Sequence, residues 1–454
     1  MEASAVLSQD FSLAAQLRFC VPRMLMSLFI MSYLVADGAL ISYYLGTDAL
    51  AALNLIYPLS ALLMGFGIML SAGGGSVTAR RLGAGDREGA SRAMSSIFIA
   101  EAGLGVVLGL LGWILLDPIL SFLGIGPHEA PYAEAYQHVA LTAMPLLLTS
   151  TAAQTFFTTA GYPKVGLYVS IAAGLTNVAF DILFMGPFGL GMTGASVATA
   201  LSWFVCAAAG LWFFARKRSP IPFRVQIPEW TAVRRAVSSG VSEMVGSLSA
   251  AGTLFLFNSA FQQSLGIDGV AALTVAMYST YVFNSIFYGF CEASSPLLSY
   301  KYGKRDWAQL RKVHRQALIL MAAFSVLAYG LSRLLARPVL AFFSPEGSAV
   351  FNLVMENFHL YALSLFFLCP NMFAAYFFTA FGDGKRAAVV SFCRTFLFMA
   401  IAVETLPHVF GEIGLWIAAP ASECASFILS SVMVWRNRRR YGYDGRPAIR
   451  IIEA

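Results

Sequence analysis

Charge is what this sequence has least of. Asp, Glu, Lys and Arg together make up 12% of its 454 residues, about half the fraction of an ordinary soluble domain. A water-facing globule is thereby excluded. Cysteine is sparse and follows no pairing pattern. Cys20, Cys206, Cys291, Cys369, Cys393 and Cys424 fall inside apolar runs with no C-x-x-C spacing. They read as small buried apolar residues, with neither a disulfide framework nor a zinc site indicated. The five histidines are scattered, with no H-E-x-x-H and no i, i+4 pair, so a metallohydrolase is excluded. Gly73-Gly74-Gly75 lacks the Lys-Ser/Thr of a phosphate loop, which leaves close helix packing as its explanation. No cleavable leader pattern precedes the first apolar run, so that run is expected to stay in the protein. No cofactor and no enzyme chemistry are implied.

What is present is apolar length. Hydrophobic residues are 58% of the chain, gathered in runs of about 20, long enough to cross a bilayer. The runs predict twelve helices. The first six cover roughly 16–44, 49–80, 89–116, 133–159, 164–185 and 192–215. The second six cover 232–264, 269–300, 308–335, 351–380, 385–408 and 413–435. The stretch Leu45–Arg92 returns without a gap 220 residues later: Leu45-Gly46-x-Asp48 becomes Leu265-Gly266-x-Asp268, and Leu82-Gly83-x-x-Asp86 becomes Tyr302-Gly303-x-x-Asp306. A second echo pairs Phe156–Lys164 with Phe377–Lys385. Repeats dictate architecture, and six helices per copy return the chain to its starting side, so the copies must be parallel. The fold expected is an all-α polytopic membrane protein: an N-lobe over 1–215, a cytoplasmic linker over 216–231, a C-lobe over 232–437 and a basic tail over 438–454.

Lys and Arg orient it. With both termini cytoplasmic, the inner segments hold Arg80, Arg81, Arg87, Lys164, Arg216, Lys217, Arg218, Arg224, Arg234 and Arg235. In the second half they hold Lys301, Lys304, Arg305, Arg311, Lys312, Lys385, Arg386, Arg436, Arg438, Arg439 and Arg440. This is a strong positive-inside bias. The basic character of the chain then reflects topology and anionic lipid, not nucleic acid.

A charge kept within the bilayer costs about 2.5–3.5 kcal/mol even on lenient scales and needs a reason. Asp37 lies in the first helix, and Asp181 in the fifth with Asn177 one turn before it on the same face. Their hard oxygens suit either a proton or a dehydrated Na⁺. The plainer alternative is that they only bond helices together. The second half does not copy them, since Ala402 and Phe398 stand opposite Asp181 and Asn177. It has its own polar stripes: Asn284, Tyr288 and Glu292 on the eighth helix, and Glu243 with Ser239 and Ser247 on the seventh. These line a second polar cavity or pair structurally. The half also carries Glu423, and Arg394 in the eleventh helix is expected to form a buried structural ion pair with a glutamate. Glu404 sits near an outer end, and Glu101 in the third helix carries no functional expectation.

Several motifs together resemble the multidrug and toxic compound extrusion (MATE) family. They are Leu70-Ser71-Ala72-Gly73-Gly74 with Leu82-Gly83-Ala84-Gly85-Asp86, Asn177-x-x-x-Asp181, and Gly194-Ala195-Ser196-x-Ala198-Thr199. In the second half they are Pro296-x-x-Ser299-Tyr300-x-Tyr302-Gly303 and Gly414-x-Trp416-x-Ala418-x-Pro420-x-x-Glu423. The resemblance covers about residues 11–437 and is closest to the DinF-like prokaryotic branch, particularly its MepA-like members. It implies two six-helix lobes around a central cavity, alternating access, and export of amphipathic, often cationic organic compounds in exchange for H⁺ or Na⁺ across a prokaryotic cytoplasmic membrane, by a monomer. By motif, Asp37, Asn177, Asp181 and Thr199 would form the cation site of the N-lobe. Glu243 resembles a seventh-helix glutamate used in the NorM branch; where that branch has an acid on the tenth helix, this chain has Asn371. Tyr33, Tyr57, Met64, Tyr278, Tyr281 and Tyr288 are the candidates for setting substrate breadth, since π-faces attract organic cations and thioethers adapt to shape; ordinary packing is their alternative role. A flippase for a lipid-linked precursor and a non-transporting membrane receptor are the other readings. The first is disfavoured by twelve rather than fourteen helices, the second by the buried acids.

Overall fold

The computed structural model describes residues 3–216 and 219–449; Lys217 and Arg218 of the linker and the last five residues of the tail lie outside the described residues. Every regular element in it is helical. Six spans form the first half: Leu13–Leu45, Thr47–Gly83, Arg87–Phe122, a bent fourth of Ala130–Thr142 with Met144–Thr159, Pro163–Met185 and Gly191–Ala215. The seventh and eighth run through Trp230–Gly303, broken at Gly266, whose φ of 67° and ψ of −156° no helix contains. Then come Trp307–Leu334, a bent tenth of Ala349–Ala362 with Leu365–Ala380, Gly384–Phe410, and Glu412–Arg436. Twelve spans result, as the runs predict.

Three spans are irregular. The fourth bends by 60° because Pro145 has no N–H to offer the Leu141 carbonyl. The tenth bends by 50° where its ladder tightens to i−3 bonds, the Leu363 and Ser364 amides donating to the Leu360 and Tyr361 carbonyls at 3.1 Å and the Ser364 hydroxyl donating to the same Tyr361 carbonyl at 2.7 Å. The eleventh contains one π turn, Cys393–Leu397.

The two copies meet through glycine, and the contacts are reciprocal. A methyl group built on Gly83 would fall 2.0 Å from the Tyr300 carbonyl oxygen, and one on Gly303 would fall 2.0 Å from that of Arg80. Positions 83 and 303, like 80 and 300, are repeat equivalents. Equal contacts exchanged between equivalent residues are what a two-fold axis through the crossing produces. Farther in, Gly73 and Gly240 bring the second and seventh spans into backbone contact, with added methyls 1.9 Å from the carbonyl oxygens of Ala236 and Met69. Only small residues allow such an approach.

These crossings lie at the end of the bundle where the basic residues gather. From Met69 to Leu82 every residue but Ala72 is buried, and from Gly289 to Tyr302 every residue but Glu292. Toward the opposite end the same two helices expose Asn54, Tyr57, Pro58 and Met64, and Thr274, Tyr278 and Val282. The lobes are therefore closed at the basic end and diverge toward the other.

The linker is tied down: Arg81 makes two charge-assisted bonds to Glu229, at 2.8 and 2.6 Å. The start of the segment read as a basic tail packs against the C-lobe. Tyr441 is buried, stacks on Phe381 with ring centroids 4.8 Å apart, and donates to Asp383.

Candidate functional site

Gly174 sets the first site. A side chain there would collide with Phe29 and Tyr33, so its absence lets the fifth span lie against the outer half of the first. One turn beyond Tyr33 comes Asp37; two turns beyond Gly174 comes Asp181. Asp37, Asn177 and Asp181 are at most 4% exposed, and the two carboxyls are close enough to interact directly. Asn177 donates to the Thr199 hydroxyl at 3.3 Å. Asp37 Oδ1, Asn177 Oδ1 and both Asp181 oxygens receive no donor from the chain. Ionised carboxylates only accept, so two of them face to face in an apolar lobe are stable only around a shared proton or cation. The four residues named from the sequence thus come together. Two tyrosines join them: Tyr33, expected in a substrate cavity, lies beside Asp37, and Tyr136, which no motif marked, reaches Thr199 and the two acids from the bent fourth span.

The C-lobe residues separate into two groups. Glu243 accepts from the Tyr376 hydroxyl at 2.9 Å, and Tyr376 packs edge-on against Tyr288 at 5.9 Å. Glu292 lies within electrostatic reach of Glu243 and is bound by Arg23 of the first span through Nε at 2.9 Å and Nη2 at 2.6 Å. Asn371 belongs elsewhere: it donates to the Glu423 carbonyl at 2.8 Å and carboxylate at 2.6 Å, and accepts from Ser430 at 3.0 Å. The π turn carries Arg394, whose Nη1 lies 3.4 Å from Glu423. Asn284 bonds only its own helix, at the Thr280 carbonyl. Tyr376 escapes sequence reasoning because it looks like an ordinary residue of an apolar helix, whereas Arg23 carries a signal, a charge inside the first expected span, that the sequence reading passes over.

In the open half, Tyr278 packs edge-on against Tyr281 at 5.3 Å and stacks on Phe343 at 5.7 Å. Tyr57 of the other lobe is within electrostatic reach of both tyrosines. Met64 is 42% exposed on the same helix as Tyr57. Among the described residues no three His, Cys, Asp or Glu side chains converge as a metal cluster would.

Comparison with known proteins fits this architecture. The MatE family model matches residues 22–183 and 247–403. The chain is 21% identical over 434 residues to the multidrug export protein MepA of Staphylococcus saprophyticus, covering 94% of each protein. It is 22% identical over 290 residues to MepA of Staphylococcus aureus, covering 63% of this chain and 64% of that one. In fold it is similar to a solved outward-facing multidrug resistance MATE family transporter of the MOP superfamily, with a TM-score of 0.91, 20% identity and 97% and 99% of the two chains covered. It also matches a MOP superfamily transporter from Pyrococcus furiosus, described as having reverse polarity of its binding pocket, with a TM-score of 0.90, 20% identity and the same coverage.

Proposed function

The chain belongs to the MATE family, and from that premise we propose that it is a secondary active antiporter, exporting amphipathic and often cationic organic compounds in exchange for H⁺ or Na⁺. The carrying observation is the cluster of Asp37, Asn177, Asp181 and Thr199, in which Asp37 Oδ1, Asn177 Oδ1 and both Asp181 oxygens are buried without a donor. Two ionised carboxylates repel each other, and a single proton or Na⁺ between them cuts the charge from −2 to −1 and removes that repulsion. A site with two electrostatic states, set between helices of one lobe, can bias a two-state protein without touching the cargo. With the basic end cytoplasmic, the conformation described is outward-facing. Its open half presents Tyr57, Tyr278 and Tyr281 to a cation or flat ring. Entry of the coupling ion from outside would fill the acid site and favour release; its loss inside would reset it. Both termini would then be cytoplasmic, in a prokaryotic cytoplasmic membrane, with the working unit a monomer.

The test is dye efflux from proteoliposomes under an imposed pH gradient alone, then under a Na⁺ gradient alone. The gradient of the coupling ion should drive export in the wild type, and neither gradient should in Asp37→Asn. Export by Asp37→Asn at the wild-type rate under the driving gradient overturns the assignment and moves suspicion to Glu243.

A further inference from the structure

The first span is shared between the lobes. Its outer half packs on the fifth span around Gly174, inside its own lobe. Its other half packs on the eighth span, in the opposite lobe: a methyl on Gly289 would lie 2.6 Å from Met24 Cα, and Cys20 Sγ lies 3.8 Å from Ser294 Oγ. Arg23 sits in that contact. Besides its two bonds to Glu292 it donates through Nη1 to the Gln154 carbonyl of the fourth span at 3.0 Å. It thus ties one helix of each lobe to a third.

The repeat makes this pairing conspicuous. Shifted by the repeat distance, Arg23 falls on Glu243, and Glu292 falls on Ala72. Something the fold required at these positions would occur in both copies. Here a cation stands against an acid once only, across the lobe boundary, and the position equivalent to Glu292 is apolar. Ala72 and Glu292 both border one small cavity, with Thr155, Thr159 and Ser295.

We propose that Arg23 and Glu292 are the latch between the lobes at the basic end, and that parting them is an obligatory step of each transport cycle. The inference rests on the alternating-access reading above. While the lobes are closed, the side chains of both residues are at most 13% exposed, and in that setting each charge needs the other. When the lobes part, water reaches the cleft and hydrates both, so the pair exchanges one satisfied state for another. An apolar contact in its place would lose its free energy on opening with nothing returned. The latch also sits on the helix that carries Asp37, four turns away, so occupancy of the acid site and closure of the opposite end act on one rigid element.

The full chain in lipid nanodiscs tests this. Spin labels at Ala84 and Ala308, both exposed and on opposite lobes, with Cys393 and Cys424 replaced by serine, report the distance across the closed crossing. The wild type should give one short distance. Glu292→Gln and Arg23→Met should each raise the ratio of parted to closed protein at least about tenfold. The exchanged pair, Arg23→Glu with Glu292→Arg, should restore the short distance. Unchanged distributions in both single variants overturn the latch. So does an exchanged protein that stays parted or does not fold, since the Gln154 contact rather than the ion pair would then matter. Wild-type dye efflux, measured separately, decides the antiporter reading without reference to these distances.

Discussion

Gly73→Ala is the smallest change that should stop the lobes from closing at the basic end. The added methyl would lie 1.9 Å from the Ala236 carbonyl oxygen and 2.9 Å from the Gly240 nitrogen. Both neighbours are backbone, so no side chain can swing aside. Relief requires the second and seventh spans to separate by about 1.5 Å, which takes the Met69–Gly240 contact with it. Overpacking of this kind costs about 1–3 kcal/mol, here charged to one conformation only, because the contact does not exist once the lobes part. The ratio of closed to parted protein should fall roughly 5–150-fold, and initial dye efflux should fall with it. Gly103→Ala is the control: it lies within a membrane span, and a methyl there meets nothing within 4 Å. It should export normally. The assay is efflux from proteoliposomes beside the thermal midpoint of the purified protein, so that loss of closure is told apart from loss of folding. Gly73→Ala exporting at the wild-type rate with an unchanged midpoint would refute the crossing as a moving contact.

Asp181→Asn should stop gradient-driven efflux nearly as completely as Asp37→Asn while leaving dye binding measurable by fluorescence polarisation, and Glu404→Gln should leave efflux within about twofold of wild type, since Glu404 is exposed. Tyr281→Ala should change the order in which a panel of cationic dyes is exported; an equal loss for every dye would assign Tyr281 to packing instead. Arg81 holds the Glu229 carboxyl below its ordinary range, against a smaller opposing effect of burial. A lowered carboxyl stabilises the fold above its unfolded value and loses that contribution as pH falls through the folded one, so the gap in thermal midpoint between wild type and Glu229→Gln should be full at pH 7 and close below about pH 4.

What could be read from the sequence was whatever lipid enforces on every residue of a span. A bilayer demands about 20 apolar residues per crossing, so the twelve runs showed themselves, and the gap-free repeat carried the glycine turns Gly46 and Gly266 along with it. Asp37 and Asp181 stood out for the same reason, as charges where charge is costly. The bends were harder. Pro145 lies at the break in the fourth span while Pro22 lies inside an unbroken first helix, so a proline in an apolar run does not by itself locate a bend.

Partners across the lobe boundary were hidden for a deeper reason. Periodicity reports which face of a helix is polar, not which helix will answer it. Glu292 appeared as one step of a stripe with Asn284 and Tyr288, yet in three dimensions the stripe is divided. Asn284 turns back on its own backbone, Tyr288 packs on Tyr376, and Glu292 crosses to Arg23. A transporter needs that kind of arrangement. Residues that satisfied one another within a lobe would make it rigid and say nothing to the other. A charge whose partner lies across the boundary makes the fit of one lobe depend on the position of the second. The contacts most specific to transport are therefore the ones that single-helix patterns predict least, and they stand where the two copies of the repeat differ.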